Sequence, residues 1–449
     1  MFLRRSIEAV ASATALCALT APTASAAAPP TYTAPPAYTS ARHISGAAAH
    51  GHPVYDHAKP AKEPPGALYG KGDPKYDGVW RQSLALLALD AAGAEPARKA
   101  VDWLARQQCD DGSFTAYRAD TGKPCDAKKT PGDTNATGAA VQALAATGGQ
   151  EKAVRKALAW LDAVQNKDGG WGYNPGGPSD ANSVSVVVGA YAAAGKKPEK
   201  AARDGKSPYD ALTSLQLGCD AKKSSRGAFA YQPGKDGELA ANDDATAAAV
   251  LAGAGSGLRA EAGPDRPLKP LSCDKGADGE EASERGDGGE AAQAGAAYLA
   301  SVLDGHGGHL LAATPGAKGA PDYANTADAV IALAAAGHRA EARKSLDWLA
   351  ARLGSWDKAQ SDPAAIAGVM LAVHATGGDA ATLKGTKLLD RLVATGPKPA
   401  RMPDGEQATG GMTKEDDGSG VLRWSLLGAG LAAGAGVGFL ISARRKRER

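Results

Sequence analysis

The sequence predicts an all-α domain made of six repeated helical hairpins, and three observations carry that prediction. Leu104, Leu161, Leu212, Leu299, Leu349 and Leu392 each sit near the end of a helical stretch, just before a turn-rich loop. Trp103, Trp160 and Trp348 precede three of them, and Gln108, Gln165 and Gln216 follow three of them by one helical turn. Upstream of most copies lies a second Ala-rich stretch that ends in Gly, as in residues 139–148 and 327–337. The leucines recur about every 43 to 57 residues, except for a gap of about 87 between the third and fourth, where the excess is an insertion. One such hairpin cannot bury its own apolar face, whereas stacked hairpins can.

The amino terminus comes first. Residues 1–26 carry Arg4 and Arg5, an apolar stretch from Ala9 to Leu19, and the small-residue site Ala24-Ser-Ala26, which together read as a secretory signal. Cys17 lies in the apolar stretch without a lipobox and leaves with it. Residues 27–77, rich in Pro, Ala, Tyr and His, read as a spacer. His43, His50, His52 and His57 lie close together there, but their spacing implies no ligand geometry for a metal.

The domain itself is expected over 78–396. Each unit opens with an inner helix such as 134–146, apolar nearly all round and therefore sheltered on both sides. An amphipathic outer helix follows, such as 151–164. There Val154, Leu158, Leu161 and Val164 share one face, and Lys152, Arg155, Lys156 and Asp162 take the others. The insertion at 259–290 is Gly-rich and acidic and reads as a solvated loop. Residues 397–423 read as a linker.

The carboxy terminus predicts an anchor. Residues 424–443 are uncharged over about 20 positions, enough to span a bilayer. The basic tail 444–449 places that end in the cytoplasm and the domain outside. Gly430, Gly434 and Gly438 form a small-residue stripe on this span, suited to helix packing. The sequence Leu392-Val-Ala-Thr-Gly396 has the look of a sortase signal, but it lies far upstream of the span and fits a glycine helix stop. A net charge of +2 with dispersed basic residues gives no sign of nucleic-acid binding. After the signal, Cys109, Cys125, Cys219 and Cys273 remain. An even count in an exported chain predicts two disulfides, Cys109–Cys125 and Cys219–Cys273, and no Cys-x-x-Cys spacing supports the zinc alternative.

The loops after the outer helices are more specific. Gln108-Cys-Asp-Asp-Gly-Ser-Phe114 and Gln165-Asn-Lys-Asp-Gly-Gly-Trp171 share the form Gln-x-x-Asp-Gly-small-aromatic, each followed by a tyrosine, Tyr117 or Tyr173. A decayed version survives in Gly227-Ala-Phe-Ala-Tyr231. These turns resemble the QW-type repeat of the terpenoid cyclase and protein prenyltransferase superfamily. The resemblance implies an α/α toroid, here an (α/α)6 toroid, the six-hairpin form shared with the transcobalamin and intrinsic-factor cobalamin binders. Asp-Gly makes the turn, and Phe114 and Trp171 are expected to plug gaps between hairpins.

Polar residues open most of the inner helices: Asp133-Thr-Asn135, Asp180-Ala-Asn182-Ser183, Asn242-Asp243-Asp244, Tyr323-Ala-Asn325-Thr326 and Asp362. They suit helix capping. In a toroid the inner helices point one way, so these residues would also ring one mouth of the molecule, where the helix dipoles converge. The candidate binding residues are Asp133, Asn135, Asp180, Asn182, Asp244 and Asn325, with the loop aromatics Tyr173 and Tyr231.

The superfamily also implies an enzymatic alternative. Class II cyclases protonate an isoprenoid with the middle Asp of Asp-x-Asp-Asp, and the nearest match here is Ala241-Asn242-Asp243-Asp244, with Asp243 as general acid. An aromatic-lined cavity that stabilises cations is also needed, and the inner helices are mostly Ala, Val and Gly, with four Phe in the whole chain. No zinc set can be assembled from His306, His309, His338 or His374, and the Cys-Gly-Glu-Gln thioester of related toroids is absent. The expectation is therefore a membrane-anchored, extracytoplasmic receptor for a bulky ligand, with cobalamin the best single guess. The C-terminal β domain that closes over the ligand in the cobalamin binders is missing, which leaves that role to a partner such as a transporter.

Overall fold

The computed structural model describes residues 66–126, 128–273, 288–313, 317 and 319–403. Every described residue belongs to one compact unit. The expected signal, the histidine cluster, the span at 424–443 and the basic tail lie outside the described residues, as does most of the linker. Among the described residues no helix is long and apolar enough to cross a membrane.

Helices alternate along the chain as the repeats require. Helix α1 (Gly78–Ala91) precedes α2 (Arg98–Arg106), and α3 (Thr134–Thr147) precedes α4 (Glu151–Ala163). Next come α5 (Ala181–Ala193) with α6 (Pro208–Ser214), α7 (Asp243–Gly253) with α8 (Gly288–Gly305), and α9 (Tyr323–Ala335) with α10 (Arg339–Arg352). The single turn α11 (Lys358–Ser361) then leads into α12 (Pro363–Ala375) and α13 (Leu388–Ala394). Two antiparallel ribbons interrupt the pattern. Strand β1 (Leu310–Leu311) pairs with β2 (Pro321–Asp322) ahead of α9, and β3 (Thr382–Leu383) pairs with β4 (Thr386–Lys387) ahead of α13.

The apolar helices form the inner layer. Helix α1 packs on α3, α3 on α5, α5 on α7, α7 on α9, and α9 on α12, and α12 packs back on α1. Helix-rich and layered in this way, the domain accords with the α/α toroid class. Small residues allow the close approach: a Cβ on Gly138 would stand 2.8 Å from Val186 Cγ1 on the neighbouring inner helix. The outer helices turn one stripe inward, as α2 does with Ala100, Val101, Trp103 and Leu104. All six repeat leucines are buried, none more than 2% exposed.

The turn motif has a definite mechanical role. Gln165 Nε2 donates to Gly169 O (2.7 Å) within its own turn and to Ala201 O (2.8 Å) in the next hairpin. Gln108 does the same with Gly112 O and Ala153 O, and Gln216 with Gly227 O and Ala291 O. The turn glycines Gly112, Gly169 and Gly227 have positive φ. Phe114, Trp171 and Phe229 are at most 1% exposed, and Trp171 Nε1 donates to Leu161 O at 2.8 Å. The motif is thus a staple from one hairpin to the next.

Both expected disulfides are present, Cys109–Cys125 and Cys219–Cys273, each with a Cα–Cα separation of 5.6 Å. Two boundaries move. The fold begins before Gly78: Leu68 and Tyr69 are buried, Tyr69 Oη donates to Pro397 O (2.6 Å), and Gly70 N donates to Thr395 O (2.8 Å). Apolar Leu68 and Tyr69 were legible as core residues, but the Pro/Tyr-rich composition around them masked that signal. The C-terminal side extends too, with Glu95 bridged to Arg401.

The first part of the expected solvated insertion is also corrected. Residues 255–266 run as a strap against the C-terminal parts of the inner helices. Leu258 N donates to Gln142 Oε1 (2.8 Å) on α3, and Gly257 lies against Gly189 on α5. Arg259 pairs with Asp90 on α1 at 2.7 Å, and Glu261 meets His374 on α12 at 2.9 Å. Gly263 N donates to Ala334 O on α9, and Arg266 N to Gly337 O (2.9 Å each). Ala260 is buried. The acidic composition reflects residues 274–287, which lie outside the described residues; the strap is held by Leu258, Arg259, Glu261, Gly263 and Arg266.

Candidate functional site

The capping reading accounts for part of the polar set at the helix starts. Asp133 accepts from Ala136 N (2.8 Å), and Asp180 from Ser183 N (2.7 Å). Asn242 accepts from Ala245 N (2.8 Å), Asp322 from Asn325 N (3.1 Å), and Asp362 from Ala364 N (2.9 Å). These side chains satisfy amide donors of the first helical turn. A threonine one turn on ties cap to turn motif: Thr137 Oγ1 accepts from Phe114 N and donates to Asp133 O. Thr246 does the same between Phe229 and Asn242.

Asn135, Asn182, Asp244 and Asn325 are not caps. Asn135, Asn182 and Asp244 each lie two positions after their capping residue, so neighbouring inner helices bring them into one register. Asn182 Nδ2 donates to Asp244 Oδ2 at 2.8 Å, from α5 to α7. Asn325 Nδ2 donates to Asp322 Oδ2 at 2.9 Å. The Oδ1 atoms of Asn135, Asn182 and Asn325 are buried and have no hydrogen-bond partner among the described residues. An orphaned buried acceptor costs roughly 1–3 kcal/mol, and three occur here at one end of the inner layer.

The turn tyrosines join this mouth mainly through their backbones. Tyr173 O accepts from Thr134 N and Tyr231 O from Ala181 N (3.1 Å each). Tyr173 is 45% exposed. Burial, with the charges of Asp180 and Asp244, raises the Tyr231 hydroxyl well above its ordinary range.

Asp243, the general-acid position of the enzymatic alternative, turns outward. Its Oδ1 accepts from Tyr298 Oη (2.7 Å) on the outer helix α8. Asp244 turns instead toward the neighbouring inner helix.

The acidic residue that sequence reasoning missed is Asp328, on α9. Six positions after its cap, it occupies the register held by Ser83 on α1, Ala139 on α3, Val186 on α5, Ala248 on α7 and Gly368 on α12. It lies about 140° round the helix from Tyr323, whose ring packs against Trp348 of the outer helix α10, so Asp328 faces the inner side. Burial pushes its carboxyl up to about 8, and the charges of Asp244 and Asp322 add to this. Asp328 keeps some accessible surface although protein surrounds it. Ala248 and Gly368 keep partial accessibility as well, and a Cβ on Gly368 would meet nothing within 4 Å. One signal was legible: a lone charge inside an otherwise apolar inner helix.

Further carboxyls lie at the starts of the inner helices. Burial raises Asp322, with Asn325 and Lys358 opposing it and Asp244 adding to it. Asp77, at the start of α1, is pushed up to about 6 by burial; Arg81 opposes that shift and Asp362 adds to it. Two hollows of about 160 and 140 Å³ lie elsewhere, beside Leu303 and Lys344 and beside Trp103 and Arg118.

A layered α-helical hairpin domain with QW-type turns and a polar mouth defines a terpenoid cyclase-like architecture. One comparison supports that level. The family described as squalene-hopene cyclase C-terminal domain matches residues 49–174, a span that holds both complete turn motifs. No curated protein matches the chain. A solved structure described as a protein from Actinoplanes is 19% identical, covering 63% of this chain and 82% of its own, with a TM-score of 0.28; so loose a likeness carries no argument.

Proposed function

We propose that this chain is an exported, membrane-anchored receptor that takes a bulky ligand at the N-terminal mouth of a closed (α/α)6 ring. The observation that carries the reading is the set of three buried amide oxygens, on Asn135, Asn182 and Asn325, left without partners at that mouth. The strap at the other end of the inner helices supports entry from this mouth alone. A corrinoid suits such a site because its rim of carboxamide arms can donate to amide and carboxylate oxygens. Residues 1–26, read as a secretory signal, and 424–443, read as a span, support a site outside the membrane, where a partner such as a transporter would close over the ligand.

The test is thermal unfolding of the full chain with cyanocobalamin. Binding to the folded state alone stabilises by about 2.7 kcal/mol at a hundredfold excess over Kd, so the melting temperature should rise with concentration. An unchanged melting temperature at saturating cyanocobalamin removes the corrinoid.

A second reading, an isoprenoid cyclase, draws on Asp328 rather than Asp243, because a buried carboxyl that stays neutral near pH 7 can donate a proton. Against it, described aromatic rings pack on one another in and between hairpins, as in Trp103–Tyr117, Trp171–Tyr191 and Tyr323–Trp356. Squalene turnover by the full chain, lost in Asp328→Asn, would favour the cyclase; no turnover favours the receptor.

A further inference from the structure

We propose that the hollow between α8 and α10 is a binding site for a primary carboxamide, the group that the first three repeats supply from their own glutamine. It lies in the outer layer, and it stands independently of the ligand that the mouth takes.

The repeat explains the hollow. In the first three hairpins the staple is a glutamine four positions after the repeat leucine: Gln108 after Leu104, Gln165 after Leu161 and Gln216 after Leu212. Four positions after Leu299 the fourth repeat has Leu303, which has no donor to give. The turn beyond it keeps its form. Gly308 has φ of 97° against 98° at Gly112. Leu310 N donates to Thr326 Oγ1 (3.0 Å) as Phe114 N does to Thr137 Oγ1 (2.9 Å). Gly308 is therefore the turn glycine of this repeat, and its carbonyl is one of the two that a staple would join.

The other follows from register. Gln108 reaches Ala153 O, three positions before Lys156, whose backbone oxygen faces Gly112. Here the backbone oxygen of Lys344 faces Gly308, and Glu341 stands three positions before it. The spacing records the missing staple. A Cβ on Gly112, Gly169 or Gly227 would stand 2.3, 2.2 or 2.8 Å from a backbone oxygen of the next hairpin, and one on Gly308 would stand 3.6 Å from that of Lys344. A hollow of about 160 Å³ occupies this place, with Leu303, Gly308, Glu341 and Ser345 in its lining.

The lining complements a carboxamide. Ser345 is 1% exposed, and its Oγ has no hydrogen-bond partner among the described residues. The matching position on α4 is Ala157, so the hydroxyl is not part of the repeat. An amide NH2 has two donors for the carbonyls of Gly308 and Glu341, as the glutamines have for theirs, and its oxygen can accept from Ser345 Oγ. Leu303 offers an apolar wall to the chain that carries the amide.

Charged groups fit less well. Lys344, at the rim, pairs with Glu341 at 2.7 Å, and the charge of Asp304 also bears on it. A cation would meet Lys344. A carboxylate would meet Asp304 and Glu341 and would set its oxygens against the two carbonyls. A neutral group that both donates and accepts satisfies the site.

The test is a ligand-observed NMR titration of the purified full chain with butyramide, butyrate and butylammonium. Butyramide should bind at least tenfold more tightly than either ion. Ser345→Ala removes only the hydroxyl and should lower butyramide affinity at least threefold with an unchanged helical circular dichroism spectrum. Leu303→Gln returns a staple to the repeat and should abolish butyramide binding. Equal affinity for the three probes, no saturable butyramide binding, or unchanged affinity in Ser345→Ala would overturn the proposal and leave the hollow to water. The capped tripeptide acetyl-Ala-Gln-Ala-N-methylamide separates two sources of the group. Tighter binding than butyramide supports the site as the seat of a partner's glutamine side chain, and weaker binding supports it as the seat of a small free amide.

Discussion

At the scale of single residues, the chain separates side chains that hold the fold from side chains that the fold leaves unsatisfied. Asp133, Asp180, Asn242, Asp322 and Asp362 cap helices, and capping was legible because Asp and Asn recur just before apolar runs. Gln165 binds two backbone carbonyls in different hairpins, so Gln165→Ala should cost about 1–3 kcal/mol in urea unfolding, the cost of orphaning buried acceptors. Asp328 makes a prediction about pH. Its folded carboxyl titrates near 8 against an ordinary 3.8. The folded state therefore holds a proton that the unfolded chain has already lost. That contribution is complete below about pH 4 and disappears as pH rises through 8. Asp77, raised to about 6, has spent most of its share by pH 6. From pH 6 to 8 the fall set by Asp328 is opposed by His309 and His338, whose imidazoles are lowered from 6.5 by burial and so add stability as pH rises. Both proteins share that contribution, so the melting temperature of the unaltered chain should fall relative to that of Asp328→Asn across this window. A parallel fall in both proteins would contradict the assignment. The role of Asp328 was only half legible: the sequence shows a charge in an apolar helix, but the approach of Asp244 and Asp322 depends on packing α7 against α9.

At the scale of elements, the QW-type turn is the unit that repeats most faithfully, and its glycine has a stereochemical reason. Gly169 has φ of 87°, and a Cβ there would stand 2.2 Å from the backbone oxygen of Ser207. Backbone cannot give way as a flexible side chain does, so Gly169→Ala should destabilise by about 3 kcal/mol or more. Gly368, mid-helix in α12 with no atom within 4 Å of the added carbon, should respond the other way. Gly368→Ala should stabilise by roughly 0.5–1 kcal/mol, because alanine is the better helix former. Thermal unfolding of the two variants side by side checks both signs. Helix positions were readable from period and Gly stops; α3 runs Thr134–Thr147 and α4 Glu151–Ala163, within a residue of the periodicity. The small ribbons β1–β2 and β3–β4 were not readable, since two-residue strands leave no period to detect.

At the scale of the whole molecule, contact passes from each inner helix to the next and returns from α12 to α1. Segments at both ends of the described domain fasten that closure, through Tyr69 to Pro397 and Glu95 to Arg401. Repeat count and helix order pointed to this arrangement. The strap at 255–266 did not emerge from the sequence, because its composition resembles the acidic stretch that follows and its partners on α1, α3, α5, α9 and α12 are distant in the chain. With that end covered, the account depends on the other mouth being a site and not merely a row of caps. The direct measurement compares cyanocobalamin affinity and melting temperature of the full chain across two sets of alanine variants, at Asn135, Asn182 and Asn325 and at the caps Asp133 and Asp362. The account predicts that the cap variants lose about 0.5–2 kcal/mol of stability with affinity intact. It predicts that all three asparagine variants lose at least tenfold in affinity, with the melting temperature kept in Asn135→Ala and lowered in Asn182→Ala and Asn325→Ala, which also lose their bonds to Asp244 and Asp322. Cyanocobalamin binding that is unchanged in all three asparagine variants would contradict it.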